Sequence, residues 1–406
     1  MNMGERIQWI KNARARKIDN KVSVDYLSAE EIKKVKGFHE SFHMYSPTPL
    51  VSLKNLAEHL GISNIFVKDE SYRFGLNAFK VLGGSYAIGK FVSEKLGVDI
   101  SEMSFDELRS NETKDRIGEI TFTTATDGNH GRGVAWAAQQ LGQKAVVYMP
   151  KGSSEIRLDN IKATGAEAYI TELNYDDAVR LSLENARKYG WQIIQDTAWE
   201  GYENIPLWIM QGYTTMMFEV AEQLVEYGVE RPTHVFIQAG VGSLAGAVQG
   251  FVASYYNGER PITAVIEPNK ADCMYRSAVN GKITNVTGHM DTIMAGLACG
   301  EPNPMGWKIL KDYCDLFASC PDNIAANGMR VLGNPMGEDK KIISGESGAA
   351  TMGFLYTILT DNKYRVIKEM LNINESSKIL LISTEGDTDP ENYRKIVWDG
   401  KYPYNQ

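Results

Sequence analysis

Cysteine is scarce, with 4 residues in a chain of 406. That is too few for a disulfide scaffold, so a reduced, cytoplasmic compartment is the expectation. No apolar run approaches about 18 residues, which excludes a transmembrane helix and with it a membrane partner. Residues Met1–Asn20 mix charges with Ile7, Trp9 and Ile10 and lack the apolar core of a signal peptide. Basic runs are also missing. The 43 Lys+Arg against 51 Asp+Glu leave a net charge of −8, which gives no electrostatic footprint for nucleic acid. No His, Cys and carboxylate group has metal-ligand spacing, so no metal is expected from side chains. Repeats and low-complexity tracts are absent too.

What is present is alternation. Short runs rich in Val and Ile read as strands at 64–68, 119–123, 144–149, 167–171, 192–195, 234–238, 263–267 and 378–384. Amphipathic stretches between them, among them 131–141, 175–189 and 207–227, read as helices. Asn174 stands where it can cap the second of these. Continuous apolar strands alternating with helices predict an α/β fold of parallel sheets covered on both faces. A length of 406 residues fits two or three domains.

Four segments carry residues suited to chemistry. In Asn77-Ala78-Phe79-Lys80-Val81-Leu82-Gly83-Gly84, Lys80 opens a helix between apolar neighbours. Such surroundings lower a lysine's pKa and free its amine for Schiff-base chemistry, although a lysine snorkelling from a helix end also accounts for the segment. In Thr126-Asp127-Gly128-Asn129-His130-Gly131, a glycine-rich turn exposes backbone N–H groups at a helix start, suited to a carboxylate; an Asp or Thr helix cap is the plainer alternative. Gly240-Val241-Gly242-Ser243-Leu244 follows a strand and opens a helix, as a phosphate cradle does. Gly240, Gly242 and Gly246 with Glu267 also approximate a dinucleotide fingerprint, so this segment alone leaves the owner of the phosphate open. Finally Ser383-Thr384-Glu385-Gly386-Asp387 ends an apolar strand, at the sheet edge where open α/β sheets bind ligands.

Taken together and in this order, the four segments resemble the fold-type II pyridoxal-phosphate enzymes, the group of threonine dehydratase and tryptophan synthase β. The resemblance is closer still to the diaminopropionate ammonia-lyases, through Phe74–Lys80, Thr126–Gly133, Gln195–Tyr202, Met294–Pro302 and Ser344–Gly348. It implies pyridoxal 5'-phosphate as cofactor, with two open, twisted, parallel-rich sheets and the cofactor between domains. It implies a larger domain from residues 1–82 and 196–406, a smaller one from 83–195, and a homodimer. Lys80 becomes the Schiff-base lysine. Asn129 faces the cofactor ring, Gly240, Val241, Gly242, Ser243 and Leu244 hold its phosphate, Thr384 faces the ring nitrogen, and Glu346 joins the cofactor-binding set.

Asp127 stands where the dehydratases carry a small residue. A diamine substrate brings a second cationic nitrogen, and Asp127 and Asp196, with Thr126, are the candidate substrate-binding groups. The implied reaction is α,β-elimination of 2,3-diaminopropionate, D or L, to pyruvate and two ammonia, with Lys80, Asp127 and Asp196 catalytic. A serine or threonine dehydratase of the same fold is the alternative, and a non-catalytic amino-acid-binding module is a second. Cys273 and Cys299 are either two buried thiols or a pair near enough to oxidise.

Overall fold

The computed structural model describes residues 6–17 and 21–404. Parts of the segment Met1–Asn20, and of the outer ends of the expected larger domain, therefore lie outside the described residues. Two sheets organise the fold. The larger has seven strands: β1 (Gln8–Lys11), β2 (Leu50–Ser52), β3 (Asn64–Asp69), β8 (His234–Gln238), β9 (Ile262–Pro268), β10 (Leu316–Cys320) and β11 (Lys378–Ser383). Their order is β1-β10-β9-β8-β11-β3-β2. The five inner strands are parallel, and each edge is an antiparallel strand. The smaller sheet holds β4 (Thr121–Ala125), β5 (Lys144–Met149), β6 (Glu167–Ile170) and β7 (Gln192–Ile193), in the order β6-β5-β4-β7 and all parallel.

The apolar runs form these strands because both faces of each sheet are covered. Every residue of β8 and β10 is buried, and β3, β9 and β11 are exposed only at their first residue. Asn174 caps the helix Tyr175–Tyr189 by accepting from the Asp177 N–H at 2.9 Å. The strand expected at 119–123 sits two residues later, since Ala125 completes the ladder opposite Tyr148. The helix expected at 207–227 starts earlier, at Asn204, and runs to Glu226.

Parallel strands deliver their loops to one edge. The ends of β3, β8 and β11 lead to the Lys80, Gly240 and Thr384 segments, and those of β4 and β7 lead to Asp127 and Asp196. The helix Val81–Leu96 packs against Asn204–Glu226 on one side and Asn129–Gln140 on the other, so it joins the layers of both sheets. Glycines permit this closeness. A Cβ at Gly212 would stand 2.4 Å from the Leu82 carbonyl, and one at Gly133 would stand 2.8 Å from the Val81 Cα.

Candidate active site

The strand ends enclose a small cavity. Its wall includes Lys80, Asn129, Asp196, residues 240–244, Ser347, Thr384 and Glu385. Lys80 caps the helix Val81–Leu96, and its loop is tied to the end of β11 by the Phe79 N–H donating to the Thr384 carbonyl at 3.1 Å.

The lysine is not the neutral amine that its apolar neighbours suggest. Lys80 Nζ lies 3.0 Å from Asp196 Oδ2. Burial works against the ammonium, but Asp196, then Tyr213, Asp127 and Cys299, outweigh it and raise the pKa. Asp196 is the complementary partner. Burial favours its neutral form, yet Lys80 and His130 hold its carboxyl down to about 2. Its other oxygen accepts from the Tyr175 hydroxyl at 3.3 Å. The two form a buried ion pair that local sequence could not reveal.

The Gly240–Leu244 segment is a helix start. Gly242 adopts φ +94° ahead of the helix Ser243–Tyr255, whose first-turn N–H groups have no partner within the helix. A Cβ at Gly240 would stand 3.3 Å from the Gly296 carbonyl, so a side chain there would crowd this side of the cavity. The Ser243 hydroxyl donates to the Asp196 carbonyl and accepts from Asn303 Nδ2 at 2.7 Å, which fixes the loop to the lysine's partner. Glu267 is no ribose partner. It is fully buried and accepts the N–H groups of Met274 and Tyr275 at 2.9 and 2.7 Å, capping the next helix, which removes the dinucleotide reading.

Other expected residues distribute unevenly. Thr384 lines the cavity, its hydroxyl accepting from Gln238 Nε2 at 2.9 Å. Asn129 lines it too, donating to Glu385 Oε2 at 2.5 Å. Asp127 stands at its margin, with Oδ2 3.5 Å from where a Cβ on Gly296 would lie. Two expected residues do not line the cavity. Thr126 is not on the wall: its buried hydroxyl accepts from the N–H groups of Gly128 and Gly131 at 2.9 and 3.0 Å and holds the turn itself. Glu346 is not on the wall either, because Asn392 binds its carboxylate and the neighbouring Ser347 faces the cavity instead.

His130 serves the fold on one side. Its Nε2 bonds the Ile194 carbonyl at 2.8 Å, and burial lowers the pKa of the ring. Further polar residues complete the site. Tyr213, Gln238 and Glu385 each carry a buried polar atom with no partner: the Tyr213 hydroxyl, Gln238 Oε1 and Glu385 Oε1. Open acceptors and donors beside a helix start and a buried lysine fit a polar, phosphorylated ring compound.

The comparisons agree with that geometry. Residues 42–369 match the family model described as pyridoxal-phosphate dependent enzyme. The diaminopropionate ammonia-lyase of Escherichia coli is 54% identical over 92% of this chain and 93% of its own length. The chain belongs to the diaminopropionate ammonia-lyases. The Salmonella typhimurium enzyme of that name is 51% identical, over 98% of this chain and 100% of its own. Solved structures of the Escherichia coli lyase superpose closely. The complex with an aminoacrylate-PLP azomethine reaction intermediate has a TM-score of 0.90 at 49% identity, and the complex with D-serine has 0.91 at 50%, each covering 98% of both chains. The likeness to tomato threonine deaminase, at 20% identity and a TM-score of 0.71, shows the shared fold.

The four cysteines are free and buried. Cys273 Sγ donates to the Gly240 carbonyl at 3.5 Å, and a Cβ on Gly240 would stand 3.5 Å from Cys299 Sγ, so the two thiols flank the same glycine. Among the described residues no helix is long and apolar enough to cross a membrane, and no group of His, Cys, Asp and Glu could hold a metal ion.

Proposed function

We propose that this family member removes both nitrogens of 2,3-diaminopropionate, supplied as either enantiomer, to give pyruvate and two ammonia. The observation that carries the reading is the pair of carboxylates, Asp127 and Asp196, set about a buried lysine. A diamine needs such a pair, whereas a hydroxy amino acid has no second cation to offer them. Pyridoxal phosphate, when bound, supplies a conjugated system that takes up the electron pair left by the departing Cα proton.

The chain's own residues divide the remaining work. Lys80 would attach the cofactor, the first-turn N–H groups beyond Gly242 would hold its phosphate, and Asn129 and Thr384 would bind the polar atoms of its ring. With Lys80 so engaged, Asp196 would be free to meet the substrate's 3-ammonium. Lys80, once released as a neutral amine, would take the Cα proton of the L-substrate. The D-substrate presents that proton to the opposite side, where Asp127 is the base. Water supplies the oxygen of pyruvate, and both nitrogens leave as ammonia.

We assign residues 1–82 and 196–406 to the larger domain and 83–195 to the smaller, supported by the small sheet's strands all falling between Thr121 and Ile193. A homodimer is the proposed assembly and the cytoplasm the proposed location, the latter suited to four buried thiols.

Turnover of 2,3-diaminopropionate against serine tests the reaction: two ammonia per pyruvate from the diamine are expected, and faster turnover of serine would make the chain a dehydratase. Loss of a general base costs about 10²–10⁴-fold, so Asp127→Asn is expected to cut D-substrate turnover by that much and L-substrate turnover less. Equal small losses would leave Asp127 as a helix cap.

A further inference from the structure

Beside the cavity stands a buried cation to which none of these roles belongs. Arg157, in the helix Glu155–Lys162, is 6% exposed. Its Nη1 donates to Asp127 Oδ2 at 3.4 Å and its Nη2 to Thr388 Oγ1 at 3.2 Å. The Thr388 hydroxyl donates in turn to Glu385 Oε2 at 3.3 Å, the oxygen that also accepts from Asn129. A closed polar circuit results. It starts at Asp127, passes through Arg157 to the loop after β11, and returns to Asn129, two positions further along the same turn.

The turn is shaped around this arginine. Gly128, between the two ends, has φ +150°, and a Cβ there would meet Arg157 Cδ at 2.9 Å and Cβ at 3.2 Å. Glycine is therefore required both by the backbone angle and by the arginine stem lying across it. Burial opposes the guanidinium charge, but Glu385, Asp127, Glu346 and Asp389 more than compensate, so it stays an obligatory cation. A guanidinium is a planar fork with fixed donor directions, and anchoring one arm fixes the direction of the other. Anchored on Thr388, Arg157 holds Oδ2 of Asp127, the oxygen that lies on the Gly296 side of the cavity.

We propose that Arg157 is a positioning residue for the lyase reaction: held by Thr388, it aims the Asp127 carboxylate and so sets the preference between D- and L-diaminopropionate. The proposal rests on the reading of Asp127 as the D-substrate base. A 1 Å misplacement of a reacting group can cost about 10²-fold, so partial loss of aim is expected to lower kcat for the D-enantiomer by roughly 10-fold, with smaller change in KM or in the L-enantiomer.

The test compares Asp127→Asn, Arg157→Met and Thr388→Val, with kcat and KM for both enantiomers and a crystal structure of Thr388→Val. Arg157→Met strands several buried carboxylates and can fail to fold. Thr388→Val removes the anchor, together with the hydroxyl's bond to Glu385, and nearly keeps the volume, so it carries the decision. Expected are a D-selective fall in kcat, an Asp127 carboxylate rotated from its native direction, and no further D-loss when Thr388→Val is added to Asp127→Asn. If Asp127→Asn is D-selective and Thr388→Val leaves kcat and the carboxylate unchanged, or lowers both enantiomers equally, the proposal is overturned while the reading of Asp127 stands. If Asp127→Asn shows no selectivity, that reading fails and the proposal falls with it.

Discussion

At the residue scale, Lys80 and Asp196 show two opposing effects and which one wins. Removing an ammonium from water is expensive, and alone it would make the lysine a neutral amine. A carboxylate at 3.0 Å in a poorly polarisable interior reverses that sign. The order of events in loading follows, because the amine must lose its proton before it attacks the cofactor aldehyde. Asp196→Asn is expected to lower the pH at which Lys80 becomes reactive, and borohydride trapping of the bound cofactor across a pH series would read the shift. An unchanged midpoint would mean that the ion pair does not govern the lysine. Lys80→Ala is expected to lose both turnover and the borohydride-reducible linkage.

At the element scale, the phosphate segment depends on a helix start reached through a left-handed residue. Gly242 at φ +94° leaves the first-turn N–H groups pointing into the cavity. Its ideal Cβ would also stand 2.2 Å from Met274 Cε, the movable end of a side chain, so the backbone angle is the stricter constraint. Gly242→Val is expected to cost about 1–2 kcal/mol in backbone strain. The larger effect is on cofactor affinity, measurable by titrating pyridoxal phosphate into the free chain. A second element-level device lies beneath the site. Arg73, at the end of the turn after β3, donates to Glu70 and to Glu219 on the helix Asn204–Glu226, while Lys68 pairs with the same Glu219 at 2.7 Å. All four side chains are fully buried. Breaking such a network by removing one partner costs about 3–5 kcal/mol, so Arg73→Met is expected to lower the urea midpoint severely even though Arg73 does not line the cavity.

For the whole molecule, buried carboxylates set the pH range of stability from both sides. Asp196 and Glu219 are each held down to about 2, by Lys80 and His130 and by Arg73 and Lys68 respectively, against the cost of burial. Their contribution is present above the ordinary carboxylate pKa and is lost as pH falls towards 2. Glu346 behaves oppositely. Burial first, and then Glu385, pushes it up to about 7, with Arg157 working the other way. Its folded form binds a proton more tightly than the unfolded chain, so stability is lost as pH rises from the ordinary carboxylate value through about 7. Glu346→Gln is therefore expected to raise the unfolding free energy at pH 8 by about 1–3 kcal/mol and to change little near pH 4, as read by urea denaturation at both values. For the assembly, sedimentation at twice the chain's mass is the expected result.

The repeating units of the fold were written locally. An inner strand such as Lys378–Ser383 is apolar from Ile379 to Ile382 because both its faces are covered, and that composition is visible without the structure. Edge strands lack the signal. β1, Gln8–Lys11, pairs on one side and keeps exposed ends, and β2 is three residues long, so neither stood out. β10, Leu316–Cys320, is fully buried but carries Ala, Ser and Cys where the other inner strands carry Val and Ile, so it gave no β-branched run to read. In the site, Lys80, Asp127, Asn129, the Gly240 loop and Thr384 were legible because each lies in a strand–turn–helix segment with its own glycines and hydroxyls. Arg157 carries no such mark. Its partners Asp127 and Thr388 lie 30 and 231 positions away in the chain, and a lysine's charge, an arginine's task and the direction of Glu346 are fixed by what the fold places opposite them. Backbone propensity and apolar periodicity act between neighbours, so the sequence determines the elements by itself. Electrostatics acts through space, and only the tertiary structure decides which charges meet.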